Sequence, residues 1–260
     1  MTTESKSTNH VGASPKPVAG TTTRMTRVRK IIAQRMTESL REAAQLTATQ
    51  EVDVTDLGAL RDRAKVAFKQ EEGVALTYLA FFSSALIRAA SQFPEFTASI
   101  DAEGKTVTYH EAVHLGIAVD TPSGLVVPVL KNAETLSLRD IAFGIADLAR
   151  RVREGDVTPD MMSGSTITVS NIGGAGNLTD TCIINYPEVA ILGTGAVVRR
   201  PRVVVGSDGV EQIAIRSVCT LPLTYDHRLI DGVAAGRFLT SVKRYLDPTE
   251  FQVELARYLA

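Results

Sequence analysis

Leu221-Pro222-Leu223-Thr224-Tyr225-Asp226-His227-Arg228-Leu229-Ile230-Asp231-Gly232 is the stretch on which the reading of this chain turns. An apolar strand-like run ends at Tyr225, a polar turn follows, and helical spacing resumes from Gly232 to about Leu246. The turn sets an imidazole, His227, and a carboxylate, Asp231, four positions apart. Histidine's unperturbed pKa of ~6.5 lets it accept and return a proton near neutrality, which suits a base acting on a thiol or hydroxyl. If the segment coils helically, Asp231 lies one turn from His227 and is placed to orient the ring. The same spacing serves a helix cap at Asp231 and a hydrogen-bonded core histidine at His227, and the residues alone leave both open. His10, His110 and His114 lack such neighbours and read as tail, loop and strand residues.

Upstream of that turn the pattern alternates between helices and short β-branched runs. Residues 1–23 are rich in Thr, Ser, Pro, Ala and Gly without an aromatic residue, a composition expected of a flexible linker or tail. The folded part is expected over 24–260. Val28, Ile31, Ile32, Met36 and Leu40 recur at helical spacing from Arg24, with a cationic opposite face. A strand is expected at 46–54, then a helix capped by Thr55, and a buried helix over Tyr78–Gln92 that ends before Pro94. Strands are expected at Phe96–Ile100, Thr106–Tyr109, Val113–Val119 and Leu125–Leu130, with Asp120–Val129 reading as a hairpin. A helix capped by Ser137 covers Leu138–Arg153, and strands follow at Ser165–Ser170, Ala190–Val198, Val203–Val205 and Ile213–Leu221, the last two joined by a turn at Ser207-Asp208-Gly209. Long helices beside hairpin-connected strands make an α+β fold, one mixed or antiparallel sheet covered by helices.

Composition narrows the function. The chain has 260 residues, 44% hydrophobic and 22% charged, with net charge −1, so nothing global favours nucleic acid or an anionic membrane. No uncharged apolar run reaches the ~18 to 20 residues of a membrane span, and the N-terminus lacks a secretory apolar core, so the expected location is cytoplasmic. Cys182 and Cys219 have no metal-type spacing and read as buried structural thiols; no metal site is expected.

A second candidate lies at Thr166-Ile167-Thr168-Val169-Ser170-Asn171-Ile172-Gly173-Gly174-Ala175-Gly176, where a strand runs into a glycine-rich loop with the Ser170 hydroxyl at its exit. Such a hydroxyl is placed to donate to an oxyanion, though ordinary turn chemistry serves as well. The glycines, and Gly193-Thr194-Gly195 beyond them, fit neither the phosphate-loop nor the dinucleotide pattern.

Taken in order, six segments resemble the catalytic domain of the dihydrolipoamide acyltransferases, the core component of 2-oxo acid dehydrogenase complexes, over about Met25–Leu246. They are Arg29-Lys30-Ile31-Ile32-Ala33 with Met36, Glu51-Val52-Asp53-Val54-Thr55, Asp120-Thr121-Pro122-Ser123-Gly124-Leu125, Thr168-Val169-Ser170-Asn171-Ile172-Gly173, Ile183-Ile184-Asn185-Tyr186-Pro187-Glu188, and Asp226-His227-Arg228-Leu229-Ile230-Asp231-Gly232. Each motif alone is modest, and six in order are specific. The resemblance implies a fold like chloramphenicol acetyltransferase and a homotrimer with active sites between subunits. Coenzyme A and lipoamide would enter a channel from opposite ends, and His227 of one copy would meet Ser170 of its neighbour. It further implies catalytic roles for His227, Asp231 and Ser170, and coenzyme A contacts at Arg61, Thr77, Asp120, Ser170, Asn171 and Gly195.

Ala44-Gln45-Leu46-Thr47 departs from the Pro-His-Val-Thr form common in relatives and is similar to actinobacterial pyruvate dehydrogenase complex members, which favours acetyl and leaves branched-chain acyl and succinyl open. No lipoyl-domain motif is visible, so lipoamide would be presented by a lipoyl domain outside this chain. The implied partners are lipoyl domains, the 2-oxo acid decarboxylase and dihydrolipoamide dehydrogenase. A non-catalytic core scaffold and a free-standing acetyltransferase are the competing readings; retention of His227 and Asp231 opposes the first, the complex-type motifs the second. Assembly into a larger cage stays open: the resemblance implies that such cages form through a C-terminal apolar contact, and Phe251–Ala260 departs from the usual short ending, so a helix that blocks or redirects that contact is expected.

Overall fold

The computed structural model describes residues 18–259 apart from positions 102 and 123. Positions 1–17 of the expected tail, His10 among them, lie outside the described residues, and Val18–Met25 precede the first helix without regular structure. The order is α1 (Arg27–Glu42), β1 (Gln45–Asp53), α2 (Thr55–Glu72), α3 (Tyr78–Ala90), β2 (Ser99–Ile100), β3 (Val107–Thr108), β4 (Leu115–Ala118), β5 (Val129–Leu130), α4 (Leu138–Glu154), β6 (Ile167–Asn171), β7 (Ala190–Thr194), β8 (Val198–Val205), β9 (Glu211–Asp226), α5 (Gly232–Arg244) and α6 (Thr249–Leu255). The main sheet has strand order β1-β9-β7-β6-β4-β5, and β8 pairs with the outer half of β9. β6 runs parallel to β4 and β7 while the remaining pairs are antiparallel, so the expected mixed sheet of an α+β fold is what forms.

Helix α3 is apolar nearly all round, and Ala80, Phe81, Phe82, Ala85, Leu86 and Ile87 are buried in the central core. Its position there follows from that pattern, because a helix without a polar face is stable only inside. Helix α4 starts as the sequence reads it, with the Ser137 hydroxyl accepting from Asp140 N at 3.2 Å. Thr55, by contrast, is the first residue of α2 rather than its cap: its amide and hydroxyl both donate to Asp53 Oδ1, at 2.9 and 2.6 Å. The strand expected at Phe96–Ile100 divides into a 3₁₀ turn, Pro94–Thr97, and two-residue β2, since proline's fixed φ favours starting a turn. In Leu125–Leu130 the regular ladder is confined to β5, with one isolated bridge from Val126 to Val119. The run expected at Ala190–Val198 breaks after Thr194, and β9 continues past Leu221 to Asp226, a strand of 16 residues.

The C-terminal segment folds back onto its own chain. Phe251 meets Phe81 edge-on with centroids 4.9 Å apart, and Tyr258 lies 4.9 Å from Phe68. Arg88 holds Glu250 and Glu254 at 3.0 and 2.9 Å, and Glu72 accepts from Arg139 Nε at 2.6 Å, Tyr258 Oη at 2.7 Å and Arg257. Burying Phe251 and Leu255 contributes about 2 kcal/mol each.

Glu188 anchors the loop between β6 and β7. Its carboxylate is 3% exposed and accepts from the Ser165 hydroxyl, from Thr168 Oγ1 at 2.7 Å and from Asn185 Nδ2 at 2.7 Å. Burial nevertheless wins over these donors and pushes its pKa from 4.5 to about 7. The folded state therefore holds this proton more tightly than the unfolded chain. The resulting stabilisation is complete below about pH 4.5 and is lost as pH rises through about 7, a swing on the order of 3 kcal/mol. Thermal unfolding of Glu188→Gln and the parent across this window is expected to show the parent losing stability relative to the variant as pH rises. Parallel curves would reject the assignment.

Candidate active site

The C-terminal end of β6 forms the floor of a cavity of about 590 Å³. Arg61 of α2, Thr77 at the start of α3, Asp120 after β4, Asn171 of β6 and Gly195 after β7 all line it, so five of the six residues singled out for coenzyme A share one cavity. The sixth, Ser170, is half-buried between Ala118 and Gly193 on the same sheet, next to Asn171.

Local chemistry builds the floor. Asn171 Oδ1 accepts from Gly174 N at 3.1 Å and so turns the chain into the 3₁₀ segment Ile172–Ala175. Two glycines permit the close backbone approach that follows. A Cβ on Gly195 would run into Leu178 O, and one on Gly173 would lie 2.5 Å from Ala196 N. These glycines serve packing between loops rather than a phosphate turn.

Side chains around the cavity carry different loads. Arg61 donates from Nε to Leu76 O at 2.8 Å, pairs with Asp62 at 2.9 Å and lies 4.8 Å from the Tyr78 ring centroid. Thr77 occupies the cap position of α3 without a side-chain capping bond, so its hydroxyl is not committed to the helix. Burial raises the Tyr78 phenol above its ordinary value.

His227 is exposed, which removes the core-histidine reading. Its amide donates to Ala44 O at 2.8 Å and its ring centroid lies 5.8 Å from that of Tyr225. Asp231 does what the capping alternative required: it is the N-cap of α5, with Oδ1 accepting from Ala234 N at 2.7 Å. It fixes the helix entry that follows His227, and no hydrogen bond to the imidazole is present among the described residues.

Within one chain His227 and Ser170 are far apart. Tyr225 pairs with Ala190, so His227 lies two residues beyond that end of β7, whereas Ser170 pairs with Gly193, three residues the other way. At ~3.3 Å per residue and ~4.8 Å between strands, the separation is on the order of 15–20 Å.

Two residues near the site escape a reading by spacing. Asp226, 1% exposed, accepts from Ala44 N at 3.2 Å, from Arg228 N at 3.0 Å and from Arg228 Nη2 at 2.6 Å. Its only sequence signal is its place beside His227. Cys182, read as a buried structural thiol, is half-buried instead: its sulfur lies beside Ser170 and would be 3.4 Å from a Cβ on Gly193. Burial raises its pKa, as it does for Cys219, which is pushed up to about 12 and does fit the structural reading.

This arrangement has known counterparts. Chloramphenicol acetyltransferase aligns with a TM-score of 0.52 over 86% of this chain and 99% of that one, at 19% identity, so the chain shares that protein's fold. Residues 18–253 match the family model for the 2-oxoacid dehydrogenases acyltransferase (catalytic domain), and the chain belongs to that family. It is 52% identical over 236 residues to the dihydrolipoyllysine-residue acetyltransferase component of the pyruvate dehydrogenase complex of Mycobacterium tuberculosis, covering 91% of this chain and 43% of that protein. The chain thus spans less than half of that relative. The cubic core of a pyruvate dehydrogenase multienzyme complex matches with TM-score 0.81 and 34% identity, over 90% of this chain and 96% of the other. Azotobacter vinelandii dihydrolipoamide acetyltransferase, solved to define the catalytic roles of a serine, a histidine and an asparagine, matches with TM-score 0.82 and 33% identity, over 92% and 99%.

Replacing Asp226 by alanine leaves the Arg228 guanidinium and the Ala44 amide without their acceptor. Asp226→Ala is expected to cost about 3 kcal/mol, read as a lowered midpoint in urea unfolding. An unchanged midpoint would show that the pair does not hold the turn.

Proposed function

We propose that this chain transfers an acetyl group between dihydrolipoamide and coenzyme A as a homotrimer whose active sites lie between subunits. The observation that carries this reading is the separation just described. A cavity floored by Asn171 beside Ser170 and an exposed His227 are each half a site, and a second copy is what would bring them together. Exposed apolar side chains fit such an assembly. Val203 and Val205 on β8 and Ile213 and Ile215 on β9 share one face of a protruding hairpin, and Val28, Ile31 and Leu40 lie exposed on α1.

In this mechanism coenzyme A enters through the cavity with its thiol toward Ser170. His227 of the neighbouring copy removes the thiol proton, and the thiolate attacks the carbonyl carbon of acetyl-dihydrolipoamide. The carbonyl electrons move to oxygen, and the Ser170 hydroxyl donates a hydrogen bond to that oxyanion, a contribution on the order of 3 kcal/mol. Collapse expels the dihydrolipoyl sulfur, which takes back the proton from His227, leaving acetyl-coenzyme A. Asp231 positions the turn through its cap of α5. The histidine and asparagine studied in the Azotobacter enzyme are likewise four residues apart.

Thr77, Asp120 and Gly195 are assigned to coenzyme A together with Arg61, Ser170 and Asn171. The acetyl assignment rests on similarity to pyruvate-complex components; preference for succinyl or a branched-chain acyl group in the same assay would replace it. Lipoyl domains, the 2-oxo acid decarboxylase and dihydrolipoamide dehydrogenase are the partners this activity requires, and the cytoplasm is its place. Among the described residues no helix is long and apolar enough to cross a membrane.

Two measurements test the proposal. His227→Ala and Ser170→Ala chains are each expected to lose most turnover, and co-expression is expected to restore a fraction of it, because a mixed trimer contains some sites with both residues intact. No recovery in verified mixed trimers would refute the shared site. Because Phe251, Leu255 and Tyr258 are spent on their own chain, mass measurement in solution is expected to give three copies. A cage mass would overturn that.

A further inference from the structure

We propose that Arg153 binds the 3′-phosphate of coenzyme A at the rim of the cavity floored by Asn171, the neighbour of Ser170. The inference rests on the acyl-transfer reading and assigns a residue that the family pattern left out. Ile145, Ala149 and Arg153 all line the cavity. Spaced four apart on α4, they form one stripe along the helix, two apolar residues as wall and then a cation at the exposed end. Asn171, the neighbour of Ser170, lines the same cavity as Arg61 of α2 and Arg153 of α4, so a thiol directed toward Ser170 leaves the nucleotide end of the ligand to these two cations.

Charge bookkeeping singles out Arg153. The other arginines of α4 are committed: Arg139 to Glu72 at 2.6 Å, Arg150 to Asp147 and Glu154 at 2.6 and 2.5 Å, and Arg151 to Asp156 at 3.0 Å. Arg61, the remaining cation lining the cavity, spends one donor on Leu76 O and is partly neutralised by Asp62. Arg153 is exposed and, unlike Arg150 and Arg151 beside it, has no ion pair among the described residues. A phosphomonoester carries about −1.5 to −2 at neutral pH, and the coenzyme adds a diphosphate, so one compensated arginine leaves that charge unmatched. An arginine in the last turn of a helix is also favourable for the helix itself, and that role is indifferent to which thiol is bound.

The experiment uses that difference. Acetyl transfer from acetyl-dihydrolipoamide is measured with coenzyme A and with 3′-dephospho-coenzyme A for the parent, Arg153→Ala and Arg153→Lys. For Arg153→Ala, KM for coenzyme A is expected to rise about tenfold with kcat within twofold, the pattern of a binding contact made equally before and during reaction. KM for the dephospho compound is expected to stay put, and Arg153→Lys to recover part of the loss. A change below twofold for coenzyme A, or an equal rise for both thiols, would overturn the assignment. A parent enzyme that acetylates neither thiol would instead reject the acyl-transfer reading on which it depends.

Discussion

The Asp226 carboxylate, sealed at 1% exposure, is the point from which the geometry of the site follows. It closes the end of β9 by accepting from the Ala44 amide and from Arg228. Because Ala44 leads into β1, one buried charge joins the start of the first strand to the end of the last. His227 is the next residue, and its amide bond to Ala44 O completes the same junction. The ring is therefore presented to solvent by a turn that is tied to the ends of β9 and β1.

The opposite end of the sheet is shaped by backbone proximity. Pro222 has no N–H to donate, and the ladder between β9 and β7 gives out at Leu223, where Gly193 leaves room for the proline ring. Past that point Gly195 turns to bond Thr220 O at 2.9 Å, and the loops from β6 and β7 close on each other. The cavity opens over these loops. A single protomer thus holds a ligand-sized cleft at one end and an exposed imidazole at the other, and the proposed trimer is the arrangement that joins them.

Surface chemistry points the same way. Phe251, Leu255 and Tyr258 are buried at the C-terminal end of the chain, whereas the β8–β9 hairpin and α1 leave apolar side chains in water. In the proposed assembly those two exposed faces are covered by neighbouring copies, while the C-terminal segment is already satisfied by α2, α3 and α4.

By itself the sequence determined the α+β class, the buried α3, the Ser137 cap and the membership that six ordered motifs imply. Each of these depends on local spacing or on residue types that chemistry rarely replaces. His227 and Ser170 stand out only through the ordered motifs, because spacing alone fits a helix cap, a core histidine and an ordinary turn equally well. Tertiary structure alone decided that Asp231 caps a helix rather than touching the ring, that Asp226 is buried, that Cys182 adjoins Ser170, and that Arg61, Thr77, Asp120, Asn171 and Gly195 meet in one cavity. It also decided the break after Thr194 and the extension of β9. Those outcomes are set by strand register and loop closure between segments far apart in the chain, and spacing along the chain holds no record of which backbone will lie beside which.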